Sequence, residues 1–222
     1  MNKDSNAAKT KLAAIVGGAG GVGSATAKLF KEQGYRVAIL DHKNCNVADE
    51  ASVSSAFKKI ETEEGAIDII VYVPSAPITP KPIFHKRWDD FSKHIDVQAK
   101  GLFFVFSALS KSIISGHKIK FIILSTEYCI GTPPVMFSDY ITAKYALLGL
   151  SKCLAVELAR FNSTLNIISP GPINTKLLTN PPSDLKVSEP EDIAKVILFL
   201  AGNDSKFLNG ANINVNGGNT MF

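Results

Sequence analysis

A chain of 222 residues, 45% hydrophobic and 20% charged, is long enough to bury one sizeable core and has the make-up of a single globular domain. Its net charge of +4 is carried by lysines spread singly, with no basic run interleaved with aromatics, which sets nucleic acid aside as a partner. No apolar run approaches the roughly 20 residues that cross a bilayer and the N-terminus has no apolar signal core, so no membrane contact and a cytoplasmic location are expected. Cys45, Cys129 and Cys153 are odd in number and lack metal-ligand spacing, and the histidines are scattered. Free thiols in a reducing compartment and no metal site follow.

Residues 1–10 are polar and read as a flexible tail ahead of a domain spanning 11–222. Leu12 to Val16 reads as a buried strand running directly into Gly17-Gly18-Ala19-Gly20-Gly21-Val22-Gly23. Strand, glycines and then a helix is a dinucleotide-binding order. Glycines permit close backbone approach to a pyrophosphate, and the helix N-terminus presents free N–H groups to the anion. Two registers fit, Gly17-x3-Gly21-x-Gly23 and Gly18-x-Gly20-x2-Gly23, and spacing does not choose between them. Tyr35 to Leu40 reads as a second strand ending in Asp41, where a carboxylate can accept hydrogen bonds from adenosine ribose hydroxyls and repel a 2′-phosphate; NAD is expected ahead of NADP, with His42 and Lys43 softening the repulsion.

The stretch from Lys43 to Ala48 is too short for another full helix and long strand, so the crossover there is abbreviated. A helix over 49–64, a strand over 67–73, a proline-rich loop through Pro74, Pro77, Pro80 and Pro82, a long helical stretch over 88–115 and a strand over 121–124 delivering Ser125 and Thr126 come next. A helix over 140–161 opens on Tyr140 and Lys144, which share a face four residues apart; an ammonium beside a phenol favours the phenolate, giving the pair acid and base chemistry. A strand over 165–168 halts at Ser169-Pro170-Gly171-Pro172, a helix covers 193–201, and a last strand over 211–215 leads to Gly217-Gly218. Alternating strands and helices predict an α/β fold, a doubly wound parallel sheet of about seven strands.

In this order the motifs resemble the short-chain dehydrogenase/reductase family over roughly residues 11–218. Gly17, Gly21 and Gly23 fall on its cofactor glycines, Ser125-Thr126 on its paired serines, and Tyr140 and Lys144 on its Tyr-x3-Lys. Leu165-Asn166 through Pro170-Gly171 to Thr175 falls on its Asn…Pro-Gly…Thr motif, and Val215-Asn216-Gly217-Gly218 on its Val-Asp-Gly-Gly with Asn for Asp. The resemblance implies a Rossmann fold and hydride transfer between a nicotinamide cofactor, NAD with NADP as the variant, and a small carbonyl or alcohol substrate. Tyr140 would be the acid/base, and Lys144 would lower its pKa and bond the nicotinamide ribose. Thr126 would polarise the substrate oxygen, with Ser125 as alternate, and Gln98 would stand where the family has an asparagine. Gly17, Gly21, Val22 and Gly23 would cradle the pyrophosphate, Asp41 bond the adenosine ribose and Val47 flank adenine. Pro170, Gly171, Ile173 and Thr175 would border the nicotinamide end, and a homodimer or homotetramer would form through the helices at 88–115 and 140–161.

Three departures stand out. The family's Asn-Asn-Ala-Gly is replaced by Tyr72-Val73-Pro74-Ser75, or by Pro74-Ser75-Ala76-Pro77, without its glycine; Gln98 replaces the asparagine; and 176–188 is a short substitute for the usual substrate-binding insert. Phe84, His85, Glu127, Tyr128 and Cys129 are expected as wall or surface residues, and Asn216 as the closure of a turn. An oxidoreductase and a catalytically weak dinucleotide-binding protein with a sensing role are the two function classes these features leave.

Overall fold

Strand β1 (Leu12–Val16) is buried along its whole length because it feeds two cores at once. Leu12, Ala14 and Val16 point into one apolar cluster, and Ala13 and Ile15 into another on the opposite face. Period-two alternation with both faces covered yields the continuous apolar run of a central parallel strand. A computed structural model of the chain describes residues 10–178 and 185–221. Residues 1–9 of the expected tail at 1–10 and the middle of the 176–188 stretch lie outside the described residues.

The elements follow as α1 (Gly21–Glu32), β2 (Arg36–Leu40), α2 (Glu50–Glu64), β3 (Ile69–Tyr72), α3 (Trp88–Ile95), α4 (Gly101–Ile114), β4 (Lys120–Leu124), α5 (Ser138–Ala159), β5 (Thr164–Pro170), α6 (Pro190–Ala201) and β6 (Asn212–Val215). All strands pair in parallel, in the order β2-β1-β3-β4-β5-β6. Val22 and Phe30 of α1 and Ile193 and Ile197 of α6 pack on one face; Phe57 of α2, Leu102 of α4 and Leu147 of α5 pack on the other. The sheet is doubly wound, and its order reverses between β1 and β3, where a crevice opens at the strands' C-terminal ends.

Among the described residues the sheet has six strands, near the seven or so expected. The segment 41–49 closes as a tight loop, with Cys45 N–H donating to the Asp41 carbonyl at 2.7 Å, and Asp49 then caps α2 by accepting from Ser52 N–H at 2.8 Å. No length remains for a further strand, so β2 is the sheet edge. Strand β5 runs on through Ser169 and Pro170 instead of halting before them; Pro170 is the last paired residue, and Gly171 N–H donates to Val215 O at 3.1 Å. The helical stretch at 88–114 is continuous but contains one wide turn, a π-helical segment at Asp96–Lys100 between α3 and α4. By length and composition this 27-residue stretch is apolar enough to cross a membrane, which narrows the earlier expectation that no such run exists. In this fold Leu102, Val105, Leu109 and Ile113 spend that apolar character on the core.

Candidate active site

The crevice above β1 and β3 is a cleft of about 1730 Å³. The expected cofactor residues Gly17, Gly21, Val22, Gly23, Asp41, Val47, Pro170, Gly171, Ile173 and Thr175 all line it, together with Ser125, Thr126, Tyr140 and Lys144. Gln98 alone of the expected set does not: it is fully buried behind the cleft in the π-helical turn, and neither of its amide atoms has a partner among the described residues.

The glycine turn is closely packed. Gly17 sits at φ 85°, and a Cβ on it would lie 2.7 Å from the backbone nitrogen of Pro74; a Cβ on Gly23 would drive into the backbone of Gly17 and Gly18. These two positions exclude side chains for reasons of close packing; Gly23 is common to both registers, and Gly17 belongs to Gly17-x3-Gly21-x-Gly23, the one the family resemblance favours. A cradle that only glycine can form, opening on the N-terminus of α1, suits a pyrophosphate. The departure at 72–77 leaves the cleft open: Val73 continues the pairing to Val16, Pro74 takes the close approach against Gly17, and Pro74 to Ile78 form one wall. At the far end Asp41 lines the cleft with one carboxylate oxygen accepting from Lys43 N–H at 2.8 Å. Lys93 and Asp96, which the sequence reading did not single out, line the cleft too.

Strand β4 ends at Leu124 and delivers Ser125 and Thr126, both nearly buried. The Ser125 hydroxyl faces the Cys129 sulfur at 3.9 Å, which leaves Thr126 as the hydroxyl that acts on Tyr140. Burial pushes the Tyr140 phenol above its ordinary value; Thr126, as hydrogen-bond partner, pulls the other way, and Cys129 and Tyr128 add to the rise. Burial also drives the Lys144 ammonium down to about 7, with Cys129 opposing. Lys144 Nζ donates to the Leu124 carbonyl at 2.7 Å and stands 5.8 Å from the centre of the Tyr140 ring. The Lys144 ammonium, weakened by desolvation, is thus directed at a backbone carbonyl beside the Tyr140 ring.

Tyr140 is braced from behind by residues that no motif marks. The side chain of Asp139 accepts from the Tyr140 N–H at 2.9 Å and forms a buried ion pair with Lys86; His94 Nε2 lies 3.8 Å from the same carboxylate, and the His94 ring meets the Tyr140 ring edge-on at 5.9 Å. Burial holds the His94 imidazole below its ordinary 6.5 against the pull of Asp139. Four residues after His94, on the same helix face, comes Gln98. Tyr72, at the end of β3, donates its hydroxyl to the Val97 carbonyl at 2.5 Å and so ties β3 to the π-helical turn.

The C-terminal motif is also explained. Asn216 donates to Glu127 Oε2 at 2.9 Å and to Thr220 O at 2.8 Å, while its Oδ1 accepts from Gly218 N–H at 3.1 Å. It closes a turn, as expected, and an aspartate there would set a second carboxylate against Glu127. Glu127 is buried as a structural anchor, Tyr128 lines the cleft, Cys129 lies beneath Ser125, and Phe84 and His85 are exposed away from it.

Against this geometry, the family model described as "Enoyl-(Acyl carrier protein) reductase" matches residues 40–220. The chain belongs to the short-chain dehydrogenase/reductase family. A sorbose reductase of Candida albicans is 30% identical, with 96% of this chain and 88% of that protein covered. Among solved structures, a 3-ketoacyl-(acyl-carrier-protein) reductase from Brucella melitensis complexed with NADH superposes with a TM-score of 0.88 at 21% identity, covering 95% of this chain and 98% of that one. ElxO with NADP bound superposes at 0.86 and 24% identity, covering 94% and 98%. Those two establish the shared fold.

Proposed function

We propose that this member of the family is an oxidoreductase that binds a nicotinamide dinucleotide along the cleft, NAD in preference to NADP, and interconverts a small carbonyl and its alcohol. The observation that carries the reading is that Thr126, Tyr140 and Lys144 line the same cleft as Asp41 and a glycine-rich turn in which Gly17 and Gly23 have no room for a side chain. The sorbose reductase supports a carbonyl substrate, and the NADH and NADP held by the two structural neighbours support a pyridine nucleotide. Bound there, the nucleotide supplies or accepts the hydride. Gly17, Gly21, Val22 and Gly23 hold the pyrophosphate against the N-terminus of α1, and Asp41 has a second carboxylate oxygen for the ribose. Thr126 orients the substrate oxygen, and Tyr140, kept neutral by burial, gives it a proton. Lys144 holds the ribose of the nicotinamide end, leaving the Leu124 carbonyl to do so.

We place the chain in a reducing cytoplasm, in keeping with Cys45, Cys129 and Cys153 as free thiols, and infer a homodimer or homotetramer. The test is calorimetry of NADH and NADPH followed by turnover of a carbonyl panel with each. NADH is expected to bind more tightly, and Asp41→Ala to erase that preference by removing a charged hydrogen-bond partner, an effect of about 1.5 to 3 kcal/mol. Tighter NADPH binding by the unaltered chain overturns the role given to Asp41; tight NADH binding with no turnover on any carbonyl overturns the enzymatic reading.

A further inference from the structure

Beside the cleft lies a second depression, a groove of about 570 Å³ built by two loops and the first turn of α5. Ile83, Phe84, Val135, Met136 and Ile141 supply its apolar lining, its polar side chains are Ser138 and Thr142, and no charged residue among those described lines it. Phe84 is 93% exposed and Val135 81%, a concentration of apolar surface that proteins keep small unless something uses it. The two loops are fastened together, Lys81 N–H donating to the Met136 carbonyl at 3.1 Å, and Met136 sits at φ 70°, a left-handed conformation that a bulky side chain adopts only at a cost. The groove is thus held in shape by its surroundings.

What the groove serves is read from where it begins. Pro134 forms a wall of both the groove and the catalytic cleft, and Ile141, on the groove side, is the immediate chain neighbour of Tyr140 on the cleft side. A molecule whose oxygen-bearing carbon rests between Thr126 and Tyr140 therefore reaches the groove by passing Pro134. We propose that the groove takes the unbranched aliphatic tail of the substrate, so that the enzyme acts on carbonyls or alcohols carrying a long apolar chain. This rests on the oxidoreductase reading above and narrows its substrate class. A tail without charges fits a lining without charges, and it gains from each methylene removed from water.

The full-length chain is tested with 2-alkanones from butanone to dodecan-2-one and with both nucleotides, alongside Val135→Asp and Phe84→Ser, two substitutions at exposed positions that leave the core untouched. Once the chain passes Pro134, kcat/KM is expected to rise by up to about fourfold per methylene (~0.8 kcal/mol) until the groove is filled, and Val135→Asp to flatten the rise. A binding arm independent of turnover uses decan-1-ol and the emission of Trp88, the one tryptophan, which begins α3 shortly after Phe84. Short ketones turned over with no length dependence, or with the same dependence in both variants, overturn the tail inference and leave the oxidoreductase reading standing. No turnover on any ketone, with decanol changing Trp88 emission in the unaltered chain but not in Val135→Asp, supports the groove and overturns the reaction. A groove that instead seats a second copy shows as Val135→Asp dissociating the protein without altering the length series, and that too overturns the proposal.

Discussion

Burial pushes Tyr140 and Lys144, one helical turn apart on α5, toward their neutral forms from opposite directions. Neutral tyrosine suits the donation of a proton to a substrate oxygen, so Tyr140→Phe should leave NADH affinity near wild type and cut turnover by about 10² to 10⁴, whereas Lys144→Ala should damage both; a fully active Tyr140→Phe removes the phenol from the mechanism. The lysine also makes a thermodynamic prediction. Its ammonium loses its proton near 7 in the fold and near the ordinary 10.5 when unfolded, so between those values the unfolded chain binds more protons and stability rises with pH. Below about 7 both states are protonated and the full cost of burying the charge is present. Urea unfolding followed from about pH 6.5 to 9.5 should therefore show the wild type gaining on Lys144→Met, on the order of a few kcal/mol across the window. Parallel pH profiles would mean that the ammonium is not desolvated. Tyr140 acts with the opposite sign, but only above its own ordinary pKa, outside this window.

At the scale of elements, the π-helical turn at Asp96–Lys100 is held by a contact across the core. Tyr72 of β3 bonds the Val97 carbonyl, and Gly101, at the start of α4, makes room for that hydroxyl: a Cβ on Gly101 would run into Tyr72 Oη and come within 3.0 Å of the Val47 carbonyl. Tyr72→Phe should cost about 1 kcal/mol by removing the hydroxyl that a part-buried carbonyl accepts from. Gly101→Ala should cost more, but less in the Tyr72→Phe background than alone, because the nearest obstacle is gone; additive losses in a urea-measured double-mutant cycle would show that the glycine serves something else. This linkage was illegible beforehand, since Tyr72 and Val97 are 25 residues apart and a tyrosine in an apolar run reads as core. The Lys86–Asp139 pair and the Glu127–Asn216 bond were hidden for the same reason. What was legible was local: the glycine turn, the Tyr-x3-Lys spacing and Asp41 at a strand end each express their geometry within one loop or one helical turn. Gln98 was placed on the right helix, but its orphaned amide depends on packing that spacing does not carry.

For the whole molecule, alternation along the chain was enough to specify a doubly wound sheet, and only the length of 41–49 decided that β2 would be an edge. Quaternary structure is where one chain runs short, and α5 indicates what would complete it. Tyr145 and Val156 are 48% and 69% exposed on the outer side of this helix, and between them, at i+4 from Tyr145 and i−7 from Val156, stands Gly149, where an added Cβ would meet nothing within 4 Å. Glycine within a helix costs about 1 kcal/mol relative to alanine, and nothing among the described residues is packed close enough to require it. A second α5 laid against the first would use that missing side chain, as symmetric pairing of helices from two copies does when small residues meet at the crossing. The two accounts of Gly149 predict opposite consequences for association. If α5 is a pairing face, Gly149→Leu should shift light-scattering mass toward the monomer while each folded chain gains helix stability of about 1 kcal/mol, read by urea unfolding at concentrations low enough to dissociate the wild type. If the position merely faces water, the variant gains the same stability and associates as the wild type does, and α5 ceases to be the interface. A wild-type chain that scatters as a monomer at micromolar concentration removes the oligomer altogether, and then the exposed Tyr145 and Val156 are ordinary surface residues.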